Sequence, residues 1–301
     1  MNPLKRARSE APLDPTPAYL DVRRAFANSY LLGDGLEIGA LHQPLPVPPH
    51  AHVRYVDRML TPDLRREYPE LADWDLTEVA VVDDGERLLT IADESQDFIV
   101  ANHFLEHCEN PIGTIETHLS KLKPGGVLFY AVPDKRYTFD FRRPLTPVEH
   151  MVGDYEDGPE GSRAGHYREW AELVTEAPTA VKREAPKTDE EIDARARELE
   201  AAKYSIHMHV WTQAEFLEMI LTCRRSFGES FDIEAAARTG IEFVVVLRKA
   251  GAFPVPPAPP PPPANPGPPP TPPGELELWK GRARKAWTLV RNDIRRWRAR
   301  S

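Results

Sequence analysis

Apolar positions along this chain switch repeatedly between two periods. Residues 18–32 carry them at helical spacing, and the run GDG at 33–35 ends that helix and opens a short apolar strand reaching Ile38. HVRYVD at 52–57 predicts a second strand, followed by a short helix capped by Thr61 and running to residue 71. A third strand is predicted at 78–82, closed by Asp83, Asp84 and Gly85, and a fourth at 97–102, DFIVAN. Residues 111–122 return to the helical period with Ile112, Ile115, Leu119 and Leu122; KPGG at 123–126 reads as a turn and 127–132 as a fifth strand. This alternation predicts a parallel sheet with right-handed crossovers. Residues 212–223 predict a last helix, and 231–237 with 241–248 an antiparallel closing pair turning through Thr239 and Gly240.

Two stretches stand outside that pattern. Residues 134–210 form a long insertion after strand five, containing His150, a helix around 166–174, and a charged helix from Thr188 to about 202 that starts in a capping box of Thr188 and Glu191. An insertion at the carboxyl edge of a sheet is placed to act as a lid or substrate cover. Residues 251–274 are a proline-rich linker, semi-rigid polyproline II in character. In 275–301, Trp279, Ala283, Ala286, Trp287, Val290, Ile294 and Trp297 recur at helical spacing among Arg and Lys, predicting a basic amphipathic helix. The main domain is therefore expected at 14–250.

Composition adds partners and compartment. The 301 residues, 41% hydrophobic, support one good core with appendages. The net charge of −9 hides nine Lys/Arg against three acids in 275–301, so the preceding chain stands near −15. So acidic a body is not expected to bind nucleic acid. The basic helix suits either peripheral contact with a membrane surface or docking on a partner enzyme. Cys108 and Cys223, far apart and without a CxxC, give no disulfide framework and no zinc spacing. With no signal peptide and no run long enough to span a bilayer, a cytoplasmic site is expected, with peripheral contact at the inner membrane face through the tail.

The candidate chemistry centres on GLEIGALHQP at 35–44, a strand ending in an acid and a glycine and followed by a turn. In an α/β chain that is where a nucleotide-like ligand meets the sheet. Asp57 follows Glu37 by 20 residues at the end of the next strand, placed to accept from two ribose hydroxyls. The chain lacks the G-x-G-x-x-G cradle that a pyrophosphate requires, which weighs against a nicotinamide-dependent oxidoreductase.

LEIG at 36–39, YVD at 55–57, DDGERL at 83–88, DESQDFIVANHFLEHCENP at 93–111 and LKPGGVLFYAVPD at 122–134 together resemble the class I S-adenosylmethionine-dependent methyltransferases, specifically the type 11 methyltransferase-domain group. The resemblance covers roughly 33–135 and extends more weakly to 250. It implies a Rossmann-like, seven-stranded, mostly parallel α/β sheet with helices on both faces, an α-helical insertion after strand five and the C-terminal amphipathic helix beyond. It implies S-adenosyl-L-methionine as cofactor, with Glu37 and Gly39 under its methionine end, Asp57 on the ribose, Asp84 and the Gly85 backbone on the adenine edge, and Asn102 and His103 beside the sulfonium. The family's first loop usually carries two further glycines; Leu41 and Gln43 occupy those positions, implying a stiffer, more crowded loop.

Methyl transfer is an in-line displacement that rests on alignment, and a hydroxyl acceptor also needs a base. His103, Asp134 and His209 are the catalytic candidates, with His150 and His207 as further bases. His207 and His209, in HMHVW, can also be metal ligands with a carboxylate, but a packed strand is the plainer reading and no metal is expected. His107 reads as packing or capping, and His150 and His166 as solvated or packed residues of insertion helices. The expected acceptor is a hydroxyl on a sugar, a glycan or another small molecule; sequences resembling this one also occur beside glycosyltransferase modules. The other class that fits is a non-catalytic methyltransferase-like adaptor acting through the C-terminal helix.

Overall fold

The structure, a computed structural model, describes residues 16–174 and 188–251, which belong to one compact unit within Met1–Pro254. The predicted proline linker, but for Gly251, and the predicted helix at 275–301 lie outside the described residues. Seven strands form one sheet: β1 (Gly33–Ile38), β2 (Ala51–Asp57), β3 (Val81–Val82), β4 (Gln96–Asn102), β5 (Leu122–Pro133), β6 (Phe231–Thr239) and β7 (Glu242–Lys249), in the order β3-β2-β1-β4-β5-β7-β6. The first five are parallel; β7 runs antiparallel between β5 and β6. The expected α/β sheet is therefore present, with the closing hairpin as its antiparallel part.

Alternation along the strands divides the core into two layers. Phe98 and Val100 of β4, with Phe129 and Ala131 of β5, face Ala27 and Leu31 at the end of the first helix, α1 (Thr16–Tyr30). Ile99, Ala101, Leu128 and Tyr130 point the other way, onto α3 (Pro111–Lys121) and α7 (Gln213–Ser226) through Ile115, Phe216 and Ile220. Strands buried on both faces read as unbroken apolar runs, as FIVA and VLFYAV do.

Three local expectations need correction. The third strand is confined to Val81 and Val82. The KPGG run is not a free turn: it lies within β5, and the register slips between Gln96 and Phe98 to accommodate it. The helix after β2, α2 (Thr61–Glu67), is followed by a separate 3-10 turn at Pro69–Leu71, as a proline inside the predicted helix dictates. Leu60 is its N-cap, while Thr61 accepts from the Val79 amide and donates to the Thr77 carbonyl, stitching α2 to the approach to β3.

The insertion supplies α4 (Val148–Asp157), α5 (Glu160–Leu173) and α6 (Asp189–Ala201), the last beginning in the predicted Thr188–Glu191 capping box. Tyr167, Trp170 and Ala171 of α5 bury against Ile192 and Ala196 of α6, with Ile206 and Met208 from the segment that leads back to α7. Cys108 and Cys223 are buried free thiols. Among the described residues, no helix is long and apolar enough to cross a membrane.

Candidate active site

The carboxyl ends of β1 to β4 deliver the predicted cofactor residues and His103 to one place. A cavity of about 660 Å³ is lined by Gly39, Asp57, Asp84, Gly85 and His103. A second, of about 280 Å³, is lined by Glu37, Gly39, Asn102, His103 and Glu242. Gly39 and His103 belong to both walls, so the two spaces adjoin at the end of β1.

Glu37 is buried, and its two carboxylate oxygens accept from the Leu45 amide at 2.9 and 3.0 Å. The Asn102 amide donates to the same carboxylate at 3.4 Å. Burial pushes the Glu37 carboxyl up to about 7, against the Leu45 amide, the Arg23 charge and Asn102, which pull it down. Glu37 thus folds the 39–45 loop back over β1. Leu41, at one of the two positions where the family usually has glycine, takes a left-handed backbone with φ of 46°. It is held there by Thr77, whose amide and hydroxyl both donate to the Leu41 carbonyl. The loop keeps a conformation that favours glycine while lacking the glycine.

Asp57 accepts from the Arg58 amide at 2.7 Å, and burial, partly offset by that bond and the Arg58 charge, raises its carboxyl. The Asp83-Asp84 pair divides its labour. Asp83 caps the next turn, accepting from the amides of Asp84, Leu89 and Thr90 and from the Thr90 hydroxyl. Asp84 accepts from the Glu86 amide and remains half-open on the cavity wall. Behind it, fully buried His118 of α3 is held neutral by burial, its pKa lowered to about 4. Its Nε2 donates to the Gly85 carbonyl at 2.8 Å and its Nδ1 accepts from the Tyr130 hydroxyl at 2.9 Å. A side chain at Gly85 would stand 2.6 Å from the Phe104 ring and 2.7 Å from Ile38.

His103 sits where β4 ends. Its backbone is left-handed, φ 51°, and its amide donates to the Ala131 carbonyl at 2.8 Å, which turns the ring over the carboxyl edge. Nε2 lies 2.7 Å from Glu242 Oε2, and Nδ1 lies 3.7 Å from Glu106 Oε1. Glu242 is fully buried and also accepts from Arg23 of α1, through Nε at 2.6 Å and through Nη2. Burial raises the Glu242 carboxyl, but the bonds and charges of His103 and Arg23 outweigh it and hold the pKa below the usual range. Buried Glu106, by contrast, is pushed up by burial, the neighbouring His103 and His207 only partly opposing it.

Asp134 and His209 are not brought to this place. Asp134 is buried and bound by Arg136, which donates to it through its amide at 3.1 Å, Nε at 2.9 Å and Nη2 at 2.6 Å. His209 is buried beneath the insertion, stacked on Trp211, and burial lowers its pKa far below the ordinary value. Neither lines the two cavities, and this geometry gives neither a route to an acceptor proton. His207, the other histidine of HMHVW, is buried with Nδ1 2.7 Å from Asp140. His107 does reach the larger cavity; its Nδ1 is 2.9 Å from the Ile206 carbonyl and 3.1 Å from Ser205 Oγ, and burial lowers its pKa to about 3. Arg23, Glu106, His118 and Glu242 were missed from the sequence. Glu106 stands within the 93–111 stretch without being singled out there, the other three stand in no motif, and Arg23 and Glu242 are 219 positions apart.

The residues present fit S-adenosylmethionine on three counts. Gly39, φ 67°, has open space where a side chain would stand. Asn102 Oδ1 is buried without a hydrogen-bond partner at the edge of that space. Asp57 and Asp84 supply acceptors further along the same wall.

A family model described as a methyltransferase domain matches residues 64–219. Comparison with curated proteins yields no match. Among solved structures, a SAM-dependent methyltransferase from Aquifex aeolicus is 14% identical, the match covering 79% of this chain and 90% of that one with a TM-score of 0.40. One from Methanosarcina mazei is 17% identical over 74% and 96%, TM-score 0.40. An S-adenosylmethionine-dependent methyltransferase from Mesorhizobium loti is 14% identical over 76% and 96%, TM-score 0.41.

Proposed function

The chain belongs to the methyltransferase-domain family, and from that premise we propose that this S-adenosylmethionine-dependent methyltransferase acts on a hydroxyl of a sugar, a glycan or a related small metabolite. Family membership sets aside the adaptor and nicotinamide readings. Bound S-adenosylmethionine supplies a methyl group made electrophilic by its sulfonium. Glu37, Gly39 and Asn102 would hold its methionine end, Asp57 the ribose, and Asp84 with Gly85 the adenine edge.

The observation that carries the hydroxyl reading is His103 on the shared wall, backed by a buried carboxylate. Glu242 takes the Nε2 proton as its hydrogen bond, which leaves the Nδ1 lone pair to accept the acceptor's proton. Glu242 also stabilises the imidazolium that results. A third cavity, of about 640 Å³, supports a polyhydroxylated acceptor: Glu109, Arg163, Glu200 and Lys203 line it, and it shares Arg58, Glu86, His107 and Ser205 with the larger cofactor cavity. Ser205 and its neighbours come from the insertion, in keeping with a substrate-covering role.

The test is S-adenosylhomocysteine release with a panel of free sugars, nucleotide sugars, phenols and amines, run on wild type and His103→Gln. A sugar or nucleotide sugar should be turned over, and His103→Gln should lose about 100-fold or more in kcat while binding the cofactor normally. Turnover confined to amines or phenols, or an unaffected His103→Gln, refutes the reading.

A further inference from the structure

The insertion carries a cluster that methyl transfer does not use. His150 and Asp154 stand one turn apart on the same face of α4, His166 faces them from α5, and His209 comes from the segment entering α7. One ligating atom from each of the four can be chosen so that all lie within 4.8 Å of one another. His150 Nε2 is 3.1 Å from His166 Nε2 and 3.2 Å from Asp154 Oδ2, and His209 Nε2 is 3.9 Å from the same oxygen. Asp154, His166 and His209 are buried, whereas His150 reaches partly into solvent.

Protein groups alone do not satisfy this arrangement. His150 Nε2 can carry one proton, yet it faces both another imidazole nitrogen and a carboxylate oxygen. Asp154 Oδ2, its side chain only 6% exposed, takes part in no hydrogen bond, and neither does His209 Nδ1. The other neighbour of His209 Nε2 is the Glu109 carbonyl at 3.4 Å. Converging lone pairs that lack donors are what a cation resolves.

We infer that His150, Asp154, His166 and His209 bind a divalent transition-metal ion of the zinc type. Three imidazoles and one carboxylate are a borderline-soft set that suits Zn²⁺, and four protein ligands complete a tetrahedron with no open position, the mark of a structural site. None of the four lines the cofactor cavities, so the ion stands apart from the chemistry. It fastens α4 and α5 to the strand-like segment that leads into α7, joining the insertion to the core.

The test uses the full chain, stripped with chelator and titrated with Zn²⁺ and, separately, Co²⁺. One Zn²⁺ should bind per chain, Co²⁺ should give the intense visible absorption of a tetrahedral ion, and saturating Zn²⁺ should raise Tm by roughly 5–10 °C. Asp154→Asn and His150→Ala should each weaken Zn²⁺ binding by about 100-fold. His52→Ala, on the exposed start of β2, should bind as wild type does and marks adventitious uptake. Should Asp154→Asn fail to fold, the partly exposed His150 position still decides. An octahedral cobalt spectrum, the absence of stoichiometric Zn²⁺, or unchanged binding in His150→Ala overturns the site.

Discussion

Replacing Glu242 by Gln should damage this protein twice, in stability and in turnover, and the two losses can be separated. Glu242 is fully buried and Arg23 is 5% exposed, so the pair is screened from water. Removing the carboxylate leaves the Arg23 guanidinium a buried cation short of the group it bonds through two nitrogens, a loss of about 3–5 kcal/mol. For a domain of this size that is a fall in Tm of roughly 6–20 °C. Turnover at saturating cofactor should fall about 100-fold, because His103 loses the acceptor that fixes its tautomer. The double variant Arg23→Met/Glu242→Gln removes both members of the buried pair and should recover most of the Tm, yet it restores nothing to His103 and should stay slow. Thermal unfolding and S-adenosylhomocysteine release on the wild type, both single variants and the double variant form a complete cycle. The pH dependence has a definite sign. The folded pKa of Glu242 is depressed, so its stabilisation is present above the ordinary glutamate range near pH ~4.3 and is lost as pH falls through the lower folded value. The gap between wild type and Glu242→Gln should therefore close in acid. A Tm loss under about 2 °C, or a double variant that recovers turnover, would refute the reasoning.

Three further outcomes are expected. Asp57→Ala should weaken S-adenosylmethionine binding by about 10- to 100-fold in calorimetric titration, the loss of charged hydrogen bonds worth about 1.5–3 kcal/mol, with little change in Tm. Leu41→Gly should leave Tm nearly unchanged, since relief of about 1–2 kcal/mol of left-handed strain is offset by the added freedom of the unfolded chain, whereas Leu41→Val should destabilise the fold. Glu37, with its pKa raised from 4.5 to about 7, disfavours the folded state as pH rises through that window by about 3 kcal/mol; Glu37→Gln should flatten the stability profile between pH 4.5 and 7 measured by urea titration.

What could be read in the sequence followed the range of the interactions concerned. FIVA and VLFYAV declare themselves as buried strands because burial on both faces leaves no polar positions, and the Thr188 cap is local, so its capping box forms in the structure. Asp57 and Asp84 could be placed because strand ends are countable along the chain. The resemblance already singles out Asp84 of the Asp83-Asp84 pair, but the role of its neighbour comes from the fold, where four donors converge on Asp83. Arg23 and Glu242 carried no signal at all; their meaning comes from a contact between distant parts of the chain. In HMHVW, His207 turns to Asp140, whereas His209 lies against His150, Asp154 and His166, residues that only the fold brings to it.

The placement of β7 has a consequence for how the protein comes into being. β7 inserts between β5 and β6, and its pairing with β5 joins residues more than a hundred positions apart. On a ribosome, β1 to β5 can emerge and pair while the apolar edge of β5 still waits for its neighbour, a slow closure by chain-entropy standards. The first residue of β7 is Glu242, the carboxylate that sets His103. A nascent chain can thus assemble most of its cofactor pocket early, but the buried carboxylate bonded to His103 arrives only when β7 seals the edge of β5.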